Sequence, residues 1–152
     1  MLDVLRSFVV IPLIYLYTLV MATISLTLSI YDPTGRKQHW CARTWTRMIA
    51  GTVGARVVVH GVENLPRDRA AVYIANHSSY MDIPAIWGYL PVQFRIMAKR
   101  SLFYLPFLGW FLWRAGHIPV DRGNARAAVT NMNRVASRLK EGVSLVVFAE
   151  GH

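Results

Sequence analysis

Residues 72–85 read VYIANHSSYMDIPA: an apolar, strand-like run ends in Asn76-His77, and Asp82 follows five residues after the histidine. A histidine backed by a carboxylate is a general base held in one orientation by a hydrogen bond. Such a pair takes a proton from a substrate hydroxyl without any serine nucleophile, and typically contributes about 10²–10⁴-fold. The same letters also read as a helix start. Ser79-Tyr80-Met81-Asp82 has the S-x-x-D form of a capping box, in which Asp82 only stabilises a helix N-terminus. Three more polar groups follow apolar runs: Lys99-Arg100 after FRIMA, Asp121-Arg122 after IPV, and Glu150-Gly151 after LVVFA. Lys99 and Arg122 supply charge for an anionic group such as phosphate. Taken singly, each piece has a plainer reading: a loop histidine, a solvated Lys-Arg pair, a turn ion pair worth little, an exposed glutamate.

The elements that must position these residues alternate. ARVVVHG (55–61), AAVYIAN (70–76), QFRIMAK (93–99), HIPVDR (117–122) and VSLVVFAEGH (143–152) read as strands. DIPAIWGYL (82–90) and NARAAVTNMNRVASRLKEG (124–142) read as helices, the latter amphipathic with Gly142 at its stop. SLFYLPFLGWFLWRAG (101–116) reads as an apolar helix with Pro106 inside it. Strands separated by helices imply an α/β fold with a mainly parallel sheet and flanking helices. In such a sheet all strand C-termini lie along one edge, where ligands bind. Asn76-His77, Lys99-Arg100, Asp121-Arg122 and Glu150-Gly151 are therefore expected to gather in one cleft.

The N-terminus differs in texture. From Ser7 to Tyr31 there is no charged residue, which is long enough for a helix to cross a hydrocarbon core of about 30 Å. It is too long for a signal peptide's apolar region, and no small-x-small cleavage site follows. Asp32-Pro33-Thr34-Gly35 breaks the segment, and RKQHWCARTWTRMIAG (36–51) reads as an interfacial amphipathic helix with Trp40 and Trp45 at headgroup depth. The pattern fits a membrane-dipping helical hairpin as well as a full span. We divide the chain into a membrane-anchoring helical segment, 1–52, and an α/β domain, 53–152.

Composition agrees. The 152 residues are 54% hydrophobic and carry a formal charge of +9, a combination suited to an anionic membrane surface. There is no Lys/Arg-rich run, RNP-like aromatic pattern or Cys/His finger, which argues against a nucleic-acid partner. The single cysteine, Cys41, rules out a disulfide framework and a cysteine-rich metal site. It reads as a small apolar residue.

Four stretches then carry a family resemblance. NHSSYMD (76–82) resembles the N-H-x-x-x-x-D signature of the glycerolipid acyltransferases, within them the 1-acyl-sn-glycerol-3-phosphate (lysophosphatidic acid) acyltransferase family. GHIPVDR (116–122) resembles that family's second block, FAEGH (148–152) the opening of its F-P-E-G-T-R block, and MAKRSLFYLPFLGWFLWRAG (97–116) its A-K-x-x-L-x-x-x-P-x-x-G segment. The resemblance implies roles. His77 would deprotonate the acceptor's free hydroxyl, with Asp82 orienting it. Lys99 and Arg122 would contact the acceptor's phosphate, and Asn76, Glu150 and Gly151 would help build its site. It also implies acyl-CoA or acyl-carrier protein as co-substrate, no metal or other cofactor, and lysophosphatidic acid and membrane lipids as partners. The location it implies is a membrane, the bacterial inner membrane with the catalytic domain on its cytoplasmic face. Ala149 and His152 stand where the family has proline and threonine, and the sequence reads as an acyltransferase domain incomplete at its C-terminus. Two alternatives stay open: another lysolipid acceptor, such as lyso-ornithine lipid or a lysophospholipid, or a non-catalytic basic module that binds membranes.

Overall fold

The computed structural model describes residues 2–32, 34–66, 68–77, 79, 81–120 and 125–148, with side chains from residue 7 onward and, in the fifth helix, from residue 130 onward. Arg122, Glu150 and Gly151 lie outside the described residues. Two helices come first, α1 (Leu2–Ser29) and α2 (Arg36–Val53). Then follow β1 (Val72–Ala75), α3 (Asp82–Tyr89), β2 (Phe94–Lys99), α4 (Leu108–Arg114), β3 (Ile118–Val120), α5 (Ala125–Lys140) and β4 (Ser144–Phe148).

The four strands form one parallel sheet in the order β1-β4-β2-β3. Parallel strands need crossovers, and the helices between them provide these. One face of the sheet, presenting Phe94, Ile96, Ala98 and Val146, is covered by Ala42, Trp87, Phe103 and Leu112 from α2, α3, the turn after β2, and α4. The other face packs Ile118 and Leu145 against Val135 and Leu139 of α5. The layering follows from period-two alternation in β2, whose even residues face one layer and whose Met97 faces the other. On β1, Val72 and Ile74 face outward, the latter 74% exposed.

The Ser7–Ser29 stretch of α1 is the one helix among the described residues long and apolar enough to cross a membrane, and little of it is buried against protein. Its C-terminal half lies along α2, tied by Tyr17 Oη to Thr52 Oγ1 at 3.2 Å and by Trp45 Nε1 donating to Thr18 Oγ1 at 3.0 Å. The turn between the two helices is built on Asp32. Its carboxylate accepts from the Thr34 amide, the Thr34 hydroxyl and the Lys37 amide. Burial is the largest single influence on this carboxyl and pushes it up, but the three hydrogen bonds and the charge of Lys37 together outweigh it and hold it below its ordinary value. Gly35 sits at φ 73°, where an added Cβ would lie 2.7 Å from Arg95 Nη2 and 2.8 Å from the Ala115 carbonyl oxygen. Arg95 is itself buried and donates to the carbonyl oxygens of Thr34 and Phe94, so β2 grips the hairpin turn directly.

Three expectations are corrected. Residues 55–61 form neither strand nor helix, because no neighbouring strand pairs with them; Val58 and Val59 are exposed. The apolar helix expected over 101–116 is two pieces, a 3₁₀ turn over Arg100–Tyr104 and then α4, with Pro106 in the break. The apolar residues read as one interfacial stripe on α2 also divide. Cys41 and Ile49 are buried against protein, while Trp40 and Met48 are exposed.

Candidate functional site

β1 ends at Ala75, and the chain turns away through Asn76 and His77 toward α3. Ala75 pairs with Phe148 of β4, and Lys99 of β2 with Val120 of β3. Extending the β2–β4 register puts Ala98 level with Phe148. Asn76, His77 and Lys99 therefore sit at the same C-terminal edge of the sheet, and Arg122, Glu150 and Gly151 follow strands that end there. Asn76 and Lys99 are exposed at that edge. β4 lies between β1 and β2, so Lys99 starts two strand spacings, about 10 Å, from the strand that carries His77.

The His77–Asp82 contact is present: Nδ1 to Oδ2 is 3.2 Å, with the side chains 29% and 25% exposed. A carboxylate can only accept, so Nδ1 carries the proton and Nε2 is the basic nitrogen of the ring. The ring is also held by Phe148, whose centroid lies 4.6 Å away at an interplanar angle of 37°. Phe148 belongs to the FAEGH stretch, but its contact with His77 is set by the β1–β4 pairing, which spacing alone does not show.

Asp82 also serves the start of α3. Its Oδ2 accepts the Ser79 amide at 2.8 Å, closing the turn that leads into the helix, whose N-cap is Met81. In the same turn Ser79 Oγ accepts from the Met81 amide at 3.1 Å and the Ser79 carbonyl accepts from the Asp82 amide, so the S-x-x-D residues brace the turn before α3 rather than forming a capping box. One oxygen thus meets both the turn that leads into α3 and the imidazole.

The far end of α3 is held by α2. Arg47 Nε donates to the Gly88 carbonyl at 2.7 Å, and the guanidinium lies over the Tyr89 ring. Arg43 donates to the Leu90 carbonyl and, at 3.4 Å, to that of Val92. Cations at a helix C-terminus complement its dipole and its orphan carbonyls. Gly88 permits this approach, because a Cβ there would lie 3.2 Å from Thr46 Oγ1. Arg43 and Arg47, on the helix read from sequence as interfacial, are engaged with the C-terminal end of α3.

Beside the polar edge lies an apolar cavity of about 450 Å³. Met21 and Ala22 of α1, Trp45 of α2, Ile83 of α3, Ala98 of β2 and Phe111 of α4 are among the residues that line it. Ile83 adjoins Asp82 in the chain and Ala98 adjoins Lys99, so the cavity reaches the elements that carry the polar groups. Among the described residues no cluster of three or more His, Cys, Asp or Glu is grouped to hold a metal ion.

Residues 56–152 match the family model described as Acyltransferase. The chain is 34% identical over 124 residues to the chloroplast 1-acyl-sn-glycerol-3-phosphate acyltransferase LPAT1 of Arabidopsis thaliana, a match covering 80% of this chain and 34% of the relative. It is 36% identical over 120 residues to the 1-acyl-sn-glycerol-3-phosphate acyltransferase of Saccharomyces cerevisiae, covering 76% of this chain and 39% of that one. Against the Pseudomonas aeruginosa protein of the same name it is 32% identical over 117 residues, covering 75% and 44%. The chain thus spans well under half the length of these relatives. The crystal structure of the 1-acyl-sn-glycerophosphate (LPA) acyltransferase from Thermotoga maritima superposes with a TM-score of 0.69 at 28% identity, covering 97% of this chain and 63% of that one.

Proposed function

The chain belongs to the acyltransferase family by the match over residues 56–152, and from that premise we propose that it is an O-acyltransferase of lysolipids, acting on 1-acylglycerol-3-phosphate to give phosphatidic acid. The observation that carries the reading is the His77–Asp82 contact at 3.2 Å on the C-terminal edge of a parallel sheet. His77 Nε2 takes the proton of the acceptor's free hydroxyl. The oxygen attacks the carbonyl of an acyl thioester, supplied by acyl-CoA or acyl-carrier protein. A C–O bond forms, the C–S bond breaks, and the proton passes from His77 to the departing sulfur. Asp82 stabilises the imidazolium formed in between. The thioester is already activated, so the reaction asks for no further cofactor.

Lys99 binds the phosphate as a point charge, with Arg122, Glu150, Gly151 and Asn76 completing the acceptor's site. The distance from the His77 strand to Lys99, about two strand spacings, leaves room for a glycerol backbone between hydroxyl and phosphate. The apolar cavity takes an acyl chain, each buried methylene contributing about 0.8 kcal/mol. The apolar α1 supports membrane attachment, and the basic Arg36 and Lys37 beyond its C-terminal end support placing the α/β domain on the cytoplasmic face. The relatives named for 1-acyl-sn-glycerol-3-phosphate support the acceptor.

The test is to incubate the purified, membrane-reconstituted protein with acyl-CoA or acyl-carrier protein and a panel of lysolipids. Thiol release with lysophosphatidic acid, at rates well above those with lysophospholipids or lyso-ornithine lipid, is the expected outcome. Faster turnover of an acceptor without the 3-phosphate would reassign the substrate. Vesicle binding without thioester consumption would leave a basic membrane-binding module.

A further inference from the structure

The turn after β2 and the helix that follows expose an aromatic and aliphatic face on the outer side of the apolar cavity. Tyr104 is 75% exposed, Phe107 53%, Trp110 56% and Trp113 54%, with Leu105 and Leu108 between them. Six large apolar side chains are exposed within ten residues, Phe107 and Trp110 in ring contact, a density unlike the scattered exposed hydrophobics of a soluble surface. We propose that this face is a second membrane-contacting surface, resting at the headgroup level of a bilayer containing anionic lipid while α1 enters the hydrocarbon.

Four observations name lipid as the occupant. The face is continuous with the apolar α1: Phe107, Leu108 and Phe111 share a cavity wall with Thr18, Met21 and Ala22, and α1 exposes Tyr15, Leu16 and Leu19 beyond it. Its residue types are those that favour the interface, since tryptophan and tyrosine pair an apolar body with a polar tip. Basic residues bracket it, Lys99-Arg100 before and the exposed Arg114 after, in a chain of net +9, which suits an anionic surface. The face is also preformed. Phe107 is the one non-glycine residue with positive φ among those described, at 62°. Gly109 fits so closely that an added Cβ would lie 2.2 Å from the Phe103 carbonyl oxygen. Phe107 packs edge-on against Trp110 at 5.3 Å, and Phe103 against Trp113 at 5.0 Å. A backbone strained to present an aromatic ring to solvent points to a partner outside the chain.

The consequence is orientation. The face follows directly on Lys99, at the sheet edge where His77 sits, so contact here turns that edge toward the lipid. The proposal goes beyond the reaction assigned above, and its test reads no turnover. Trp110→Cys and Trp113→Cys, each in a Cys41→Ser background, are spin-labelled and reconstituted into vesicles of phosphatidylcholine and phosphatidylglycerol. Met132→Cys serves as the aqueous reference: it is 64% exposed on α5, which packs on the opposite face of the sheet. Labels at 110 and 113 should collide with a water-soluble nickel chelate several-fold less than the label at 132, and more with oxygen. Equal chelate access at all three positions would overturn the proposal. So would dipolar broadening that vanishes on dilution with unlabelled protein, which would make the occupant a second copy. A milder pair guards against misfolding: Trp110→Phe and Trp113→Phe should each lower the fraction of tryptophan fluorescence quenched by lipids brominated near the headgroup, and unchanged quenching would also overturn it.

Discussion

Replacing Asp82 by asparagine separates the two jobs of one oxygen. In the native protein Oδ2 accepts from both Ser79 N, at 2.8 Å, and His77 Nδ1, at 3.2 Å. An asparagine with its carbonyl oxygen in that position keeps both hydrogen bonds and removes the negative charge. At the helix start the loss of a negative charge costs about 0.3–1 kcal/mol. In the transition state it costs more, because His77 is then an imidazolium. Two unit charges 3.2 Å apart attract by about 5 kcal/mol at an effective dielectric constant near 20 and about 1 kcal/mol in bulk water. The pair is partly exposed, so the penalty lies between these limits, centred near a 10²–10³-fold loss of kcat. The assay is thiol release from the acyl donor under saturating acceptor, beside thermal unfolding of the same preparation. Asp82→Asn should lose at least tenfold in kcat with a Tm shift of only a few degrees. A kcat within twofold of wild type would refute the reasoning and leave Asp82 a brace of the turn before α3 alone.

Arg47→Ala should release the C-terminus of α3 from α2. The lost charge-assisted hydrogen bond to the Gly88 carbonyl costs about 1.5–3 kcal/mol, read as a lowered unfolding midpoint, while Arg47→Lys should recover part of it. Stability should also fall in mild acid. Burial, then the nearby Arg43 and Arg95, hold His39 down to about 4. Burial, then Arg95, His39 and Arg138, hold His117 well below its ordinary value while its Nδ1 accepts the Ile96 amide. Both are neutral when folded, whereas the unfolded chain takes up protons near pH 6.5, so stability is complete above about pH 7 and declines as pH falls toward 4. The slope is up to about 1.4 kcal/mol per pH unit for each histidine. Unfolding in detergent across that range should show it, and His39→Gln should flatten it.

The α/β class, the parallel sheet and the strand-edge gathering of Asn76, His77 and Lys99 were legible because they rest on local signals: apolar runs, their alternation with helices, and polar residues at run ends. What was not legible depends on partners distant in sequence. Val57 to Val59 have strand-forming side chains, yet a strand exists only where another pairs with it. The arginines of α2 belong to an interfacial helix by pattern alone, and only the folded chain shows the carbonyls of Gly88, Leu90 and Val92 that Arg43 and Arg47 bind. Pro106 was visible, but whether it kinks a helix or divides it is settled by Gly109 closing onto the Phe103 carbonyl. The pairing of β1 with β4 puts Phe148 against His77 across some 70 residues of chain.

The most direct measurement of the central claim is acyl transfer to lysophosphatidic acid by His77→Ala, with membrane binding followed in parallel. Loss of at least 10²-fold in turnover with vesicle binding intact is the result expected if Nε2 of His77 takes the hydroxyl proton. Turnover near wild type in a folded, membrane-bound His77→Ala protein would contradict it.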